Sequence, residues 1–197
     1  MNSLPLVILY EPRALFRNGL CAQLLEQGYQ VVPCLSLVQL TEEICAETDS
    51  GKVLLIGAAG LEEQLNKVLR TLHFSRAITL KTIVYLPEEN ELLTRLFITS
   101  GADHCFVEDD LSHKLLPLMS HISIRNHRGK HFSISELSVL LDYASGMQTH
   151  DIANRRQCSY KTVFTFKRNA RLRLDIEKKA EWIDLLTAMV QLSSYYK

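Results

Sequence analysis

A chain of 197 residues exceeds one typical domain of about 100 to 150 residues and is too short for three, which predicts two small domains. The hydrophobic fraction of 47% supports packed cores, and the formal net charge is zero. That zero hides an asymmetry, because residues 1–124 carry 9 Lys and Arg against 15 Asp and Glu, a balance of −6, while residues 125–197 carry 13 against 7, a balance of +6. The basic second part predicts a polyanionic partner.

The cysteines and the first residues indicate the compartment. Five cysteines are odd in number and scattered along the chain, at Cys21, Cys34, Cys45, Cys105 and Cys158. This pattern is unlike a secreted disulfide framework and favours a reducing compartment. The apolar opening at 4–10 is interrupted by Glu11-Pro12-Arg13 and is too short for a signal peptide or for a membrane span of about 20 residues. We therefore expect a cytoplasmic protein without a membrane anchor.

Short β-rich apolar runs alternate with helical periodicity along the first 124 residues. After the first run, residues recur at helical spacing until Gly28 ends the helix, namely Leu15, Gly19, Ala22 and Leu25. The predicted strands lie at 6–10, 29–35, 53–56, 82–86 and 105–107. Each is followed by a predicted helix, at 14–27, 37–46, 62–72, 89–99 and 111–122. Five β–α pairs predict an α/β fold, a doubly wound parallel sheet of the (βα)5 type.

Ligands of such sheets bind at the carboxyl ends of the strands. The residues at those ends are Tyr10, Glu11, Gly57, Leu86 and Glu108. The segment 8–20, Ile-Leu-Tyr-Glu-Pro-Arg-Ala-Leu-Phe-Arg-Asn-Gly-Leu, resembles the opening of response-regulator receiver domains. A further likeness is found at 100–102, Ser-Gly-Ala, before the fifth strand.

The resemblance implies a phosphate-accepting site whose chemistry these residues do not support. Receivers bind Mg²⁺ with acids after the first strand, accept phosphate on an Asp after the third, and use a hydroxyl after the fourth and a Lys after the fifth. Gly57 offers no nucleophile, and an anion at Glu108 repels a phosphoryl group where a cation is needed. We expect Glu11 to be a solvated loop carboxylate, with residual cation binding as the alternative. Residues 1–124 are thus predicted to be a pseudo-receiver domain that contacts other proteins.

Four helices are predicted in residues 132–197, after a linker at 125–131. The sequence 133–136, Ser-Ile-Ser-Glu, is a capping box before a buried helix at 137–143. A short helix at 149–156, a turn at 157–158 and a third helix capped by Ser159 follow, as in a helix-turn-helix. The fourth helix, at 178–192, carries an apolar stripe that can serve in pairing, made of Trp182, Leu185, Leu186, Met189 and Val190.

The third helix has two contrasting faces. Val163, Phe166, Ala170 and Leu174 share one narrow sector and are predicted to face the core. The opposite face and its flank are predicted to contact DNA through Lys161, Thr162, Phe164, Thr165, Lys167, Arg168 and Arg171. Cations and short donors of this kind can contact base edges in the major groove, and we expect Lys161, Lys167 and Arg171 to bind phosphates. The alternative is a solvated basic face.

The segment 132–174 resembles the LuxR/FixJ-type helix-turn-helix. The likeness rests on Ser133, Glu136, Val139, Leu140, Ala144, Gly146, Ile152, Ala153, Lys161, Thr162, Val163 and Leu174. It implies that residues 159–173 are the recognition helix and that Lys161, Thr165 and Arg168 occupy its DNA-contacting positions. With the altered receiver-like domain, the chain is similar to the enterobacterial auxiliary regulators of the RcsA, GadE and BglJ kind.

The resemblance implies a transcription regulator, not an enzyme, that binds double-stranded promoter DNA as a homodimer or as a heterodimer with another LuxR-type regulator. One alternative is an antagonist that pairs with a true response regulator and does not hold DNA itself. Another is a small-molecule sensor that uses an empty strand-end cleft beside Gly57. Experimentally, these alternatives differ in DNA binding and in ligand-dependent thermal stabilisation.

Other candidate sites receive less support from the sequence. A metal site at His121, His127 and His131 with Cys105 lacks closely spaced Cys or His pairs, so no metal and no cofactor are expected. Cys158 is expected to be a small buried hydrophobe, with a redox switch as the alternative. The sequence contains no nucleotide-binding glycine loop and no nucleophile elbow.

Overall fold

The computed structural model describes residues 4–47, 51–120 and 131–194. Its first part is a five-stranded parallel sheet with helices on both faces. The strands are β1 (Leu6–Tyr10), β2 (Val31–Cys34), β3 (Lys52–Gly57), β4 (Lys81–Leu86) and β5 (His104–Val107). The helices are α1 (Ala14–Glu26), α2 (Leu37–Cys45), α3 (Leu65–Ala77), α4 (Glu91–Ser100) and α5 (Leu111–Ser120). The predicted α/β architecture is confirmed.

The strand order is β2-β1-β3-β4-β5, and every neighbouring pair is parallel. Tyr10 pairs with Ile56, and Gly57 pairs with Tyr85. In a doubly wound sheet the chain reverses direction of winding next to the first strand, which opens a crevice at the carboxyl ends of β1 and β3. This topology brings Glu11 beside Gly57.

Alternating strand residues supply two separate cores. Val7, Leu9 and Leu55 face α1 and α5 in one apolar cluster. Ile8 and Ile56 face α2, α3 and α4 in the other cluster. Successive residues of a strand point to opposite faces, and strands buried on both faces are therefore almost continuously apolar.

The second part of the chain is helical. Its helices are α6 (Ile134–Ala144), α7 (Thr149–Arg155), α8 (Tyr160–Arg173) and α9 (Lys179–Ser194). The predicted capping box is confirmed, because the Glu136 backbone N–H donates to Ser133 Oγ at 3.2 Å and the Ser133 N–H donates to Glu136 Oε2 at 2.7 Å. The predicted four-helix organisation with a helix-turn-helix is also confirmed.

The two parts share one continuous apolar cluster. Trp182, Leu185 and Met189 of α9 are buried in the same cluster as Leu96 and Phe97 of α4. The Phe132 N–H donates to the Thr99 carbonyl at 3.1 Å, and Arg95 on α4 donates to the Leu174 carbonyl at 3.3 Å. The cluster therefore extends from the sheet domain into the helical domain.

This packing changes the interpretation of the apolar stripe on α9. The stripe is buried within the chain except at Val190, which is 57% exposed, and at the half-buried Leu186. Most of it is therefore unavailable for pairing with a second protein. The sequence pattern showed that one face is apolar, but not what covers that face.

Some predicted boundaries differ from the structure or lie outside it. A 3-10 turn at Glu62–Gln64 precedes α3, which continues to Ala77 and not only to residue 72. The predicted linker at 125–131 lies outside the described residues except for His131, and so do His121, His127 and residues 195–197. The predicted domain limits stay a prediction. In the described parts of the chain, no helix combines the length and apolarity needed to cross a bilayer.

Candidate nucleic-acid interface

The strand-end site of the sheet is filled by an internal ion pair. Glu11 is 0% exposed, and its Oε1 accepts hydrogen bonds of 2.8 Å from both the backbone N–H and Nε of Arg13. Its Oε2 accepts from Arg13 Nη2 at 2.7 Å. The expectation that Glu11 is a solvated loop carboxylate is wrong, because the chain folds the Arg13 guanidinium back over it.

Tyr85 closes the same site from β4. Its hydroxyl donates to Glu11 Oε2 at 2.8 Å. Burial and then the neighbouring Glu11 carboxylate hold the pKa of Tyr85 well above its ordinary value, so the hydroxyl is a neutral donor. A Cβ atom added at Gly57 would lie 2.2 Å from Glu11 Oε2 and 2.7 Å from the Tyr85 hydroxyl. The space beside Gly57, which the alternative of a small-molecule sensor would require to be empty, is therefore occupied by these two side chains.

The carboxyl ends of the remaining strands complete this arrangement. Arg13 Nη1 donates to Glu108 Oε2 at 3.0 Å, and Arg13 Nη2 lies 2.6 Å from Glu108 Oε1. The Tyr10 hydroxyl donates to Gln64, and Leu86 is buried. One guanidinium thus neutralises two carboxylates inside the site and uses donors that would otherwise be offered to an anion.

The helix-turn-helix is built from α7, a tight turn and α8. Gln157 has a φ of 52°, which reverses the chain between the helices. Ser159 caps α8, because the Thr162 backbone N–H donates to Ser159 Oγ at 3.1 Å. The Thr162 hydroxyl lies 2.8 Å from the same oxygen. Of the predicted DNA-contacting residues, Thr162 is therefore engaged in the cap of the helix.

The two faces of α8 lie as the helical periodicity predicts. Val163 and Ala170 are fully buried, Leu174 is buried and Phe166 is half-buried. The opposite face is exposed at Lys161, Phe164, Thr165 and Arg168. The Thr165 hydroxyl donates to the Lys161 carbonyl at 2.9 Å, which does not remove that side chain from solvent. The helix therefore presents two cations, an aromatic ring and a hydroxyl on one open surface.

The comparison with protein families assigns this part of the chain. Residues 130–186 match the bacterial regulatory proteins of the luxR family. These residues form a LuxR-type helix-turn-helix domain. The match covers all of α6, α7 and α8 and the first half of α9. None of the curated proteins matches the sequence significantly.

Solved structures of response regulators resemble this chain over almost its whole length at low sequence identity. The two-component response regulator RcsB, in a complex with DNA, is 18% identical, with a TM-score of 0.50, over 93% of this chain and 98% of that chain. RcsB from Salmonella enterica serovar Typhimurium bound to promoter P1flhDC is 20% identical, with a TM-score of 0.50, over 94% of this chain and 99% of that chain. Full-length FixJ from B. japonicum is 13% identical, with a TM-score of 0.49, over 98% of each chain. At these identities the likeness shows the fold alone.

Two cations on the flank of α8 make contacts within the chain. The Lys167 ammonium lies 4.4 Å from the ring centroid of Tyr143 and 5.5 Å from that of Trp182. Arg171 donates from Nη2 to the Glu177 carbonyl. Both side chains are half-buried, unlike Lys161 and Arg168. Their assignment to phosphates stays a prediction, and the structure gives each of them an internal contact.

Further ion pairs hold the LuxR-type domain together. Asp142 at the end of α6 accepts from Arg155 Nη1 at 3.2 Å and from Arg156 Nε at 2.6 Å. Arg173 Nε donates to Glu136 Oε2 at 2.5 Å. Cys158 is half-buried and packs against the apolar cluster formed by α6, α7 and α8. Part of the positive charge of this domain therefore serves its own packing.

Sequence reasoning missed several residues of the two sites. Arg13 and Tyr85 were not singled out, although they fill the strand-end site. Tyr143 was taken only as a helix residue, although it forms an edge-to-face pair with Trp182 at 5.9 Å and supports Lys167. A proline-arginine pair directly after an acidic residue was the available signal for Arg13. For Tyr85 and Tyr143 no local sequence signal was available.

Proposed function

We propose that this protein is a DNA-binding transcription regulator that inserts α8 into the major groove of promoter DNA. The observation that carries the proposal is the open face of α8, where Lys161, Phe164, Thr165 and Arg168 are exposed while the opposite face is packed. In helix-turn-helix proteins the second helix lies in the major groove and its N-terminal residues contact base edges. Arg can bind guanine, and a Thr or Phe can contact the thymine methyl group.

The family match and the fold support this proposal. Residues 130–186 match the luxR family of bacterial regulatory proteins. Of the RcsB structures of similar fold, one is a DNA complex and another is bound to promoter P1flhDC. The basic balance of residues 125–197 is consistent with attraction of DNA. The roles of Lys161, Thr165 and Arg168 in contacting bases or phosphates are part of the proposal.

We further propose that the protein acts without phosphorylation. Gly57 carries no nucleophile, and the space for one is occupied by Glu11 and Tyr85. Arg13 pairs with both Glu11 and Glu108, so the acid that would help to hold Mg²⁺ in a receiver is already paired with an internal cation. Incubation with acetyl phosphate should give no acyl phosphate by mass spectrometry and should leave DNA affinity unchanged. Stoichiometric phosphorylation would contradict this proposal.

The proposal includes pairing, either of two copies or with another LuxR-type regulator. Helix-turn-helix dimers bind two half-sites that mirror the symmetry of the protein. Because most of the α9 stripe is buried within the chain, we assign pairing to the surface of the pseudo-receiver domain. Sedimentation of the protein on a DNA fragment, with and without candidate regulators, measures the stoichiometry directly.

The deciding experiment starts with genome-wide capture of the DNA bound in cells. A labelled captured fragment should then show a salt-sensitive mobility shift with the purified full chain. Lys161→Ala with Arg168→Ala should weaken binding on the order of tenfold to a hundredfold. Lys67→Ala with Arg70→Ala is the matched control, since it removes two exposed cations from α3 instead.

Two outcomes would contradict DNA binding by α8. In the first, the two double variants weaken binding equally, which indicates only general charge. In the second, the chain gives no shift but forms a complex with a response regulator, as an antagonist would. The salt dependence of the shift estimates how many phosphates the protein neutralises.

A further inference from the structure

A sizeable cavity lies between the recognition helix and α9. Its volume is about 760 Å³, which falls within the range of roughly 300 to 1,000 Å³ found for small-molecule sites. Tyr143, Phe164 and Trp182 contribute aromatic rings to its lining. Rings of this kind offer a large apolar contact area to a flat ligand.

The same cavity is lined by four cations, Lys167, Arg168, Arg171 and Lys179. None of the described residues that line it is acidic. Within the described part of the chain, Nε of Arg171 is buried without a hydrogen-bond partner. A buried donor without an acceptor is unfavourable, so the lining offers an unused donor beside four cations.

Lys167 lies close to aromatic rings and to the other cations of this cavity. Its ammonium lies over the rings of Tyr143 and Trp182, at 4.4 Å and 5.5 Å from their centroids. Burial, and then the neighbouring Arg171 and Lys179, lower the pKa of Lys167. An anion bound beside these groups would relieve that repulsion, whereas a neutral ligand would not.

We propose that this cavity binds a small aromatic carboxylate. The carboxylate pairs with Lys167 and Arg171, and the aromatic body packs among Tyr143, Phe164 and Trp182. Phe164 and Arg168 line the cavity and also belong to the exposed face of α8. Occupancy therefore competes with DNA for those two side chains, a consequence that rests on the proposed function.

The chain contains a single tryptophan, and that residue lines the cavity. Trp182 emission therefore reports occupancy without a label. A suitable probe is dinitrophenyl-aminocaproate, a carboxylate whose dinitrophenyl ring absorbs where tryptophan emits. We expect saturable quenching in the full chain, with the neutral amide of the probe binding about tenfold more weakly.

A matched pair of variants locates the site. Lys179 lines the cavity, whereas its neighbour Lys178 does not, and both are exposed. We expect Lys179→Gln to weaken probe binding several-fold and Lys178→Gln to leave it nearly unchanged. Equal affinity for the acid and the amide, equal effects of the two variants, or quenching that does not saturate would each overturn the proposal.

The regulatory consequence is tested separately. With DNA present, saturating probe should weaken the mobility shift of the wild-type chain and should weaken that of Lys179→Gln less. The quenching titration contains no DNA, so it stands if the chain proves not to bind DNA. Conversely, a normal shift combined with absent quenching refutes the cavity site and leaves the proposed function intact.

Discussion

The hydroxyl of Tyr85 donates a 2.8 Å hydrogen bond to the buried carboxylate of Glu11, across the space that a side chain at position 57 would need. This contact joins β4 to the loop after β1 and closes the strand-end crevice of the sheet. The absence of a side chain at Gly57 is therefore a packing requirement.

Substitution of Gly57 by alanine tests that requirement. The new Cβ would lie 2.2 Å from Glu11 Oε2, an atom held by Arg13 and Tyr85, so we expect a loss of about 1–3 kcal/mol in the free energy of unfolding. Gly19→Ala is the control, because Gly19 lies inside α1 with no atom within 4 Å of an added Cβ. It should stabilise the protein by about 0.5–1 kcal/mol in the same urea titrations.

Removal of the Arg13 guanidinium should strongly destabilise the sheet domain. Arg13→Ala leaves the buried Glu11 carboxylate and the nearby Glu108 without their shared partner. We expect a loss of about 3–5 kcal/mol, as for other broken buried pairs. Glu108→Gln should lower the free energy of unfolding less in the Arg13→Ala variant than in the wild type, because its partner Arg13 is already absent. Strictly additive effects would show that Arg13 and Glu108 are not coupled.

The capping box at Ser133 and Glu136 predicts that the free energy of unfolding depends on pH. Burial by itself raises the pKa of Glu136, but hydrogen bonds from Ser133 and Arg173 outweigh it, so the pKa lies below its ordinary value of 4.5. A lowered folded-state pKa means that this stabilisation is present above about pH 4.5 and is lost as the pH falls through the folded-state value.

Glu136→Gln should therefore unfold at lower urea than the wild type near neutral pH, and the difference should shrink below about pH 4.5. Glu89→Gln changes an exposed carboxylate and should follow the wild-type curve. A constant difference at every pH would show that the side-chain shape of Glu136 matters and that its charge does not.

The shared apolar cluster predicts a single unfolding transition for the described domains. Ala188 is buried on α9 beside Leu93 of α4, and Thr187 is exposed next to it. Ala188→Glu places a charge in this contact and should divide the calorimetric transition into two, one for each domain. Thr187→Glu should leave one transition. Two transitions in the wild type would mean that the contact between α4 and α9 contributes little to the cooperativity of unfolding.

Substitution of the exposed Phe164 should affect DNA binding but not the stability of the protein. Phe164 and Leu172 are both on α8 and are both 55% exposed. Alanine at either position should change the free energy of unfolding by less than about 0.5 kcal/mol. Only Phe164→Ala, near the N-terminal end of α8 that we propose contacts bases, should lower promoter affinity, on the order of tenfold. Equal losses in a filter-binding titration would argue against this orientation of the helix.

Local patterns in the sequence determined the elements of this protein. The alternating strand residues, the capping box at Ser133 and Glu136 and the buried sector of α8 all depend on spacings of two to four residues, which the backbone geometry dictates. The opposite faces followed directly, so the exposure of Thr165 and Arg168 could be predicted from periodicity alone.

Only the tertiary structure decided which distant side chains meet. Arg13 reaches Glu108 across 95 positions, Tyr85 reaches Glu11 across 74, and Lys167 turns toward Tyr143 and Trp182. The sequence pattern predicted that one face of α9 is apolar, but not that α4 and α6 cover it. Spacing along a chain specifies the face on which a side chain lies, whereas the element that covers that face depends on how the whole chain packs.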